Sequence, residues 1–420
     1  MLSSRVTLPQ ILKQLHNSRA LIRTDFNVPL ANGVVSNNKR IVETLPTLKA
    51  ILSENPKGMT IMSHLGRPEG NANKKFTLKP VAAELERLLG SKVTFIDDCI
   101  GQEAQERSHS LNNGEILLLE NLRFYPEEEG KGKNATYKMK ANKDKVAEFR
   151  RTLSTMGDVY INDAFGTSHR AHSSMVGIDL PIRAAGLLLK KELDYFAKAL
   201  ETPKRPFLVI LGGAKVSDKI QLIMNLLDNA NDIIIGSAMA FPFLKVLHGM
   251  DIGKSMYDSA SESLVMQVVE KAKAKGVNLH FPEDFVCGDS FSADANVGLF
   301  DMKHGITGEW MGMDQGPKTC KKFAEVIARS ETIVWNGPQG VFEFPNFRHG
   351  SVAIVDAMMK RTEQGATTIV GGGDSVTLVQ TIPGAEERFS HLSTGGGASL
   401  ELLEGKELPG LTALSGIDEL

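Results

Sequence analysis

The sequence predicts an α/β protein built from mostly parallel sheets with helices on both faces. Three observations predict it. Short apolar runs of strand length recur along the chain, as in Ile116–Leu119 and Phe207–Leu211. Each run ends in polar or glycine residues, and helical spacing of apolar positions commonly follows, which is the pattern of a parallel sheet covered by helices. The third is length: 420 residues exceed what one core usually spans, so two domains are expected.

Composition narrows the function classes. Lys and Arg total 48 against 50 for Asp and Glu, a formal net charge of −2, so neither nucleic acid nor an anionic membrane is expected as a partner. Cys99, Cys287 and Cys320 are far apart with no CxxC pair, which argues against a zinc knuckle or a disulfide framework and fits a reducing compartment. No long apolar run opens the chain or recurs within it, so a signal peptide and a membrane span are not expected. The terminal Ile417-Asp418-Glu419-Leu420 matches an ER-retention signal only in part and reads as coincidence. A cytoplasmic location is expected.

In the first half, A-L-I-R-T-D-F-N-V reads as a strand ending in Asp25 and Asn27, at the end where parallel sheets hold ligands. Asn37-Asn38-Lys39-Arg40 opens a helical run in which Pro46 predicts a kink or an early stop. Met59 to Met62 is a strand emptying into Ser63-His64-Leu65-Gly66-Arg67-Pro68. A helix near residues 78–89, a strand at 93–96 and a strand at 116–119 ending in E-N-L-R-F follow. A further strand at 158–161 runs into N-D-A-F-G and then Ser168-His169-Arg170-Ala171-His172. Arg40, Arg67, Arg123 and Arg170 each follow a strand or begin a helix. If those strands are neighbours, the four converge on one rim and suit a small, multiply anionic substrate. Taken singly, each reads as a surface arginine. His169 and His172 read as anion contacts or structural hydrogen-bond partners rather than metal ligands. Residues 127–145, rich in Glu, Lys and Gly, read as a solvated loop. Pro181 through Leu200 reads as a long helix near mid-chain, the expected connector between domains.

In the second half, strand Phe207–Leu211 runs into Gly212-Gly213-Ala214-Lys215-Val216-Ser217-Asp218-Lys219. On a helix, Lys215 and Lys219 would share a face. They suit charge on a transferring phosphate, or else are solvated lysines of a capped helix. A strand at 232–235 enters Gly236-Ser237-Ala238-Met239. Gly249 to Ser255 imitates a P-loop but has His248 where the motif requires glycine, and is rejected. A strand at 331–335 ends in Asn336-Gly337-Pro338-Gln339-Gly340-Val341-Phe342-Glu343, where Asn336 and Glu343 could meet phosphate or ribose. Thr367 to Val376, T-T-I-V-G-G-G-D-S-V, reads as a buried strand, a glycine turn and a helix start near Asp374. Such a turn aims backbone N–H groups at a phosphate. Asp374 would repel a bare phosphate, so a divalent metal is its natural partner there; as a plain turn, the stretch would use Asp374 as helix cap. The second triplet Gly395-Gly396-Gly397 favours a polyphosphate site.

Taken together, R-T-D-F-N-V-P, S-H-L-G-R-P, L-L-E-N-L-R-F, D-A-F-G-T-S-H-R-A-H-S-S, G-G-A-K-V-S-D-K, W-N-G-P-Q-G-V-F-E, G-G-G-D-S and S-T-G-G-G-A-S-L-E-L-L-E-G resemble the motifs of phosphoglycerate kinases, in family order from residue 23 to residue 405. The resemblance implies two Rossmann-like domains joined by a long helix. The expected division is a triose-phosphate domain over 1–185, a connecting helix at 186–200, a nucleotide domain over 201–405, and a tail at 406–420 returning to the first domain. It implies reversible transfer of the acyl phosphate of 1,3-bisphosphoglycerate to ADP, giving 3-phosphoglycerate and ATP, with Mg²⁺, by a monomer whose domains close. Asp25, Asn27, Arg40, His64, Arg67, Arg123 and Arg170 are the implied triose residues. Gly213, Ala214, Lys215, Lys219, Ser237, Ala238, Asn336, Glu343, Gly372, Gly373, Asp374 and Ser375 are the implied nucleotide residues, with Asp374 on the metal and Arg40 and Lys215 on the moving phosphoryl group. The chain departs from the family at Ser237 and Ala238, where glycines are common, so the adenine pocket is expected to be narrower. Ser168 stands where alanine is common and Thr24 where valine is, both conservative changes. Another carboxylate or acyl-phosphate kinase is the alternative enzyme. A catalytically silent nucleotide-binding scaffold is the alternative of a different class. A dinucleotide dehydrogenase fits less well, because residues 371–373 do not form G-x-G-x-x-G.

Overall fold

The computed structural model describes residues 4–133 and 137–420. The chain forms two compact units: one runs through Asp194 and includes Glu407–Leu420, and the other is Tyr195–Lys406. The division falls inside helix Leu187–Leu200.

The first unit is organised on six strands, β1 (Arg19–Arg23), β2 (Gly58–Met62), β3 (Val93–Ile96), β4 (Ile116–Leu119), β5 (Val159–Asn162) and β6 (Ile182–Ala185). Their order is β6-β5-β1-β2-β4-β3, with every pair parallel. Strands β2, β4 and β5 are buried at every residue, as expected of strands covered on both faces. Ile22, Ile61, Leu118 and Ile161 pack in one core with Leu45, Leu48 and Ile51 of helix Lys39–Ser53 and Leu85 of helix Lys79–Leu89.

The second unit repeats the plan with β7 (Phe207–Leu211), β8 (Asp232–Ile235), β9 (Asn278–His280), β13 (Thr332–Asn336), β14 (Thr367–Gly371) and β15 (His391–Leu392), in the order β9-β8-β7-β13-β14-β15 and again all parallel. It carries an addition that the sequence pattern did not announce. Strands β10 (Asp284–Gly288), β11 (Val297–Asp301) and β12 (Met311–Gln315) form a separate antiparallel sheet, with β10 in the middle.

Several local expectations are corrected. The early stop at Pro46 does not occur; the helix runs from Lys39 to Ser53. Burial of Ile41, Leu45, Leu48 and Ile51 on one face outweighs the hydrogen bond that proline removes. Residues Ile182–Ala185 are strand, not helix, because they find an open edge beside β5; the helix begins only at Leu187. Its first N–H groups are capped by buried Asp163, whose Oδ1 accepts from Leu188 and Leu189 at 2.9 and 3.1 Å. Residues 127–145 are not one solvated loop. They hold part of a short helix, Pro126–Glu129, and an antiparallel hairpin of Lys131–Lys133 with Lys138–Lys140, while Glu127 and Glu128 are buried. Residues 134–136 of that stretch lie outside the described residues.

Candidate active site

In the first unit, β1 pairs with both β5 and β2, and β2 pairs with β4. The segments carrying Arg170, Arg40, Arg67 and Arg123 therefore leave the same end of four neighbouring strands. The loops are fastened to one another. Asn27 Oδ1 accepts the Gly66 N–H at 2.9 Å, and Arg123 Nη1 donates to the Gly66 carbonyl at 2.9 Å. Gly66 is required there: its φ is +62°, and a Cβ would come within 2.3 Å of the Phe76 ring. Asp25 accepts from Arg40 Nη1 at 2.5 Å, at the start of helix Lys39–Ser53. Arg67 and Arg170 are exposed, as is Asn27.

The electrostatics of this end are those of an anion site. Burial, and then the charges of Arg123, Arg23, His172 and Arg40, hold His64 well below the usual histidine range. His172 is pushed down to about 3 by burial and by Arg123, Arg23, Arg170 and His169. The Arg123 guanidinium is itself pushed down, chiefly by burial, and its Nε is buried without a hydrogen-bond partner. Glu129 stands 3.8 Å from that Nε. An orphaned donor inside a cluster of cations is the chemistry of a site built to receive an anion. Among the described residues, no group of three or more His, Cys, Asp or Glu side chains could hold a metal, His169 and His172 included.

In the second unit, the same end of the parallel sheet is built from turns. Gly212 follows β7, Gly337 follows β13 and Gly372 follows β14. A Cβ on Gly212 would lie 1.9 Å from the Pro338 carbonyl oxygen, so the first two turns touch through main chain. Gly337 and Gly372 have φ of +100° and +85°. Lys219 is not on a helical face with Lys215. The helix starts at Ile220 with Lys219 as its N-cap, and Lys215 is exposed in the loop before it. The Lys219 Nζ donates to the Gly212 carbonyl at 2.6 Å and to Asn336 Oδ1 and carbonyl at 2.9 and 3.1 Å, and burial lowers its pKa to about 8. Asn336 is buried. Ser375 is also engaged, accepting the Gly337 N–H at 2.8 Å. Asp374 is not the helix cap: Gly372 caps helix Gly373–Gln380, and Asp374 lies exposed in its first turn. The second triplet caps helix Gly397–Leu403 through Gly396, φ +49°.

These turns open onto a pocket of about 590 Å³ lined by Gly213, Ala214, Ser237, Ala238, Pro338, Glu343 and Asp374. Its apolar wall includes Phe241, Phe285, Met311, Met313 and Phe342, and much of that wall comes from the antiparallel sheet. A ring bounded by apolar side chains with polar groups at one end suits a nucleoside polyphosphate. Ser237 takes a φ of +57°, a left-handed backbone that costs a residue with a Cβ about 1 kcal/mol. Both Ser237 and Ala238 face the pocket, so their side chains occupy space that glycines would leave open.

Comparison with known proteins agrees with both halves. The family model for phosphoglycerate kinase matches residues 11–406. A phosphoglycerate kinase of Tetrahymena thermophila is 57% identical, covering 100% of both chains. One of Yarrowia lipolytica is 56% identical over 96% of each. Among solved structures, that of phosphoglycerate kinase from Coxiella burnetii superposes with a TM-score of 0.84 at 37% identity, covering 95% of this chain and 96% of that one. The likeness spans both units and leaves no part of the site-bearing sequence outside it. The chain belongs to the phosphoglycerate kinase family and is an ATP-binding glycolytic kinase of that activity.

Proposed function

We propose that the first unit binds 3-phosphoglycerate or 1,3-bisphosphoglycerate and the second binds ADP or ATP, with the acyl phosphate passing directly and reversibly between them. The observation that supports this most is the contrast between four arginine-bearing segments leaving neighbouring strands in one unit and three glycine turns beside an apolar pocket in the other. Asp25, Asn27, His64, Arg67, Arg123 and Arg170 would orient the triose. Gly213, Ala214, Ser237 and Ala238 would flank the base, Glu343 the ribose, and Gly372, Gly373 and Ser375 the phosphates. Lys219 and Asn336, held together by direct hydrogen bonds, would support the phosphate turns.

An acyl phosphate is already activated, so the protein's task is positioning and neutralising charge rather than forming a covalent phosphoenzyme. Arg40 and Lys215 would carry that neutralisation. Arg40 is held at the start of its helix by Asp25, and Lys215 is exposed in the loop before helix Ile220–Leu226, where its charge also reaches Asp258. Mg²⁺ would be held by Asp374 together with nucleotide phosphates. The residues fit this group, since one exposed carboxylate in a helix's first turn is what a nucleotide-borne magnesium needs, not an all-protein cage. When bound, the ion neutralises phosphate charge. Direct transfer needs reacting atoms within roughly 3–3.5 Å, so the bound substrates must be brought together and water excluded. A cytoplasmic monomer is the proposed form; no helix among the described residues is long and apolar enough to cross a membrane, and the three cysteines are free.

A coupled assay with 3-phosphoglycerate and MgATP tests the proposal. Turnover dependent on both substrates and on magnesium is expected. Absence of turnover, with nucleotide still bound, would leave the silent scaffold. Scattering with each ligand and with both tests closure, and the smallest radius of gyration is expected with both.

A further inference from the structure

Beneath the arginines of the first unit lies a buried cluster to which the proposed roles give no task. Arg23 ends β1 and is fully buried, in a strand that is otherwise apolar from Ala20 to Ile22. Its Nε donates to Ser174 Oγ at 2.8 Å, its Nη1 to the Thr24 carbonyl, and its Nη2 to His64 Nδ1 at 3.2 Å. Glu128 supplies the countercharge, with Oε1 at 3.9 Å and a side chain equally buried. Glu128 is held in turn by Ser174, whose hydroxyl donates at 2.6 Å and whose backbone N–H donates at 2.9 Å. A buried charge pair of this kind is costly unless its remaining donors and acceptors are satisfied. Here Ser174 links both partners, and the remaining guanidinium nitrogen, Nη2, meets the His64 imidazole.

We infer that Arg23 is a positioning residue that locks His64 as a neutral imidazole with its proton on Nε2, giving the triose site one directed N–H donor. The inference rests on the reading of His64 as a triose-site residue. A guanidinium only donates, so the Nδ1 it meets must be the lone-pair nitrogen, and the proton of the neutral ring is on Nε2. Protonating Nδ1 would set an N–H against an N–H. The groups facing the ring reinforce this: Arg23, Arg40, Arg123 and His172 all oppose a positive charge, and burial opposes it most. The nearby carboxylates are engaged elsewhere, Asp25 with Arg40 and Glu128 with Ser174. An unperturbed histidine would change charge near neutral pH, and its tautomer would fluctuate. The Arg23–Ser174–Glu128 clamp removes both freedoms, so the donor stays constant around neutral pH.

The test is the imidazole nitrogen spectrum of His64 in full-length, ¹⁵N-labelled protein without ligand, from about pH 5.5 to about pH 8. His64→Gln assigns the signals. The wild-type ring is expected to show a bare Nδ1 and a protonated Nε2, with no titration in that range. Free imidazole already leans toward the Nε2–H form, so comparison with variants carries the decision. Arg23→Met combined with Glu128→Gln removes charge and countercharge together. It is expected to bring a titration of His64 into the range, mix the tautomers, and weaken 3-phosphoglycerate by ~10-fold while leaving MgADP affinity unchanged. Ser174→Ala only loosens the clamp and should move the same signals less far in the same direction, which keeps the test open if the double variant does not fold. A wild-type ring protonated on Nδ1, or variants with unchanged tautomer and titration, would overturn the inference. A locked tautomer combined with full triose affinity in His64→Ala would instead remove His64 from the triose site and leave the clamp standing.

Discussion

The two units share a sheet plan and build opposite kinds of site on it. At the ends of the first unit's strands, the proposed recognition groups are charged side chains, and Asp25 and Glu128 are buried countercharges to Arg40 and Arg23. At the ends of the second unit's strands, the recognition surface is largely main chain, with glycines at Gly212, Gly337 and Gly372 bringing turns into contact. Lys219 there is a strut between carbonyl oxygens rather than a free cation. The difference teaches how one architecture can offer two chemically distinct anion sites. In the proposed division, guanidinium forks would read a small acid with phosphate at one end and carboxylate at the other. Backbone N–H groups would cradle phosphates, and an apolar wall would take the base.

The largest expected effect joins the two sites. Lys215→Ala and Arg40→Ala should each lower kcat on the order of 100-fold or more, with much smaller changes in KM, because both cations would meet charge that moves during transfer. Steady-state kinetics in both directions checks this, and an unchanged kcat removes that residue from the role. Next in size is the division itself. Arg123→Ala should weaken 3-phosphoglycerate by ~10- to 100-fold, the cost of losing a charged, partly buried hydrogen-bonding group, and leave MgADP nearly unaffected. Calorimetry with each ligand separates the outcomes, and equal losses would break the comparison. Asp374→Ala should weaken MgADP by ~10-fold and leave metal-free ADP unchanged or tighter, because the carboxylate repels bare phosphate and helps only through the metal.

Sequence and structure agree most closely where a motif is also a strand end. Asp25, Asn27, Arg67, Arg123 and Arg170 could be singled out because each follows an apolar run, and Arg40 because it opens a helical one; the topology then made those runs neighbours. The supporting layer was not legible. Arg23 sits inside a strand, Glu128 in a stretch whose composition looks solvated, and Ser174 some 150 positions from Arg23 along the chain. Only the fold brings them together. The one signal available was a charged residue closing an otherwise apolar run at Arg23. The antiparallel sheet beside the pocket was missed because its strands alternate weakly and carry few buried apolar positions, as in V-G-L-F-D and M-G-M-D-Q. Residues 182–185 read as helix because apolar positions before a helix continue its spacing, whereas an open sheet edge decides the matter in three dimensions.

Two smaller effects sharpen the contrast. Ser237→Gly should stabilise the second unit by up to about 1 kcal/mol, since glycine relieves the left-handed backbone, and should widen the pocket. Thermal unfolding and ADP affinity report the two consequences. Each unit also buries an aspartate, Asp163 in the first and Asp314 in the second, and burial pushes each from 3.8 up to about 7. The folded value lies above the unfolded one, so the folded state holds the extra proton. This contribution to stability is fully present below pH 3.8 and is lost as pH rises through about 7. Asp163→Asn and Asp314→Asn should each flatten that part of the stability profile for their own unit. Urea midpoints taken across the window, with probes in each unit, would show a slope that persists if the account of either aspartate is wrong.

The most direct measurement of the central claim is the set of backbone amides that shift when each ligand is added alone to the ¹⁵N-labelled enzyme. With 3-phosphoglycerate, the account predicts shifts confined to the strand ends of the first unit, around Asp25, His64, Arg123 and Arg170. With MgADP, it predicts shifts around Gly213, Ser237, Gly337, Glu343 and Asp374. Shifts of both sets by one ligand, or of the triose set by nucleotide alone, would contradict a side-chain site and a main-chain site that bind their substrates separately.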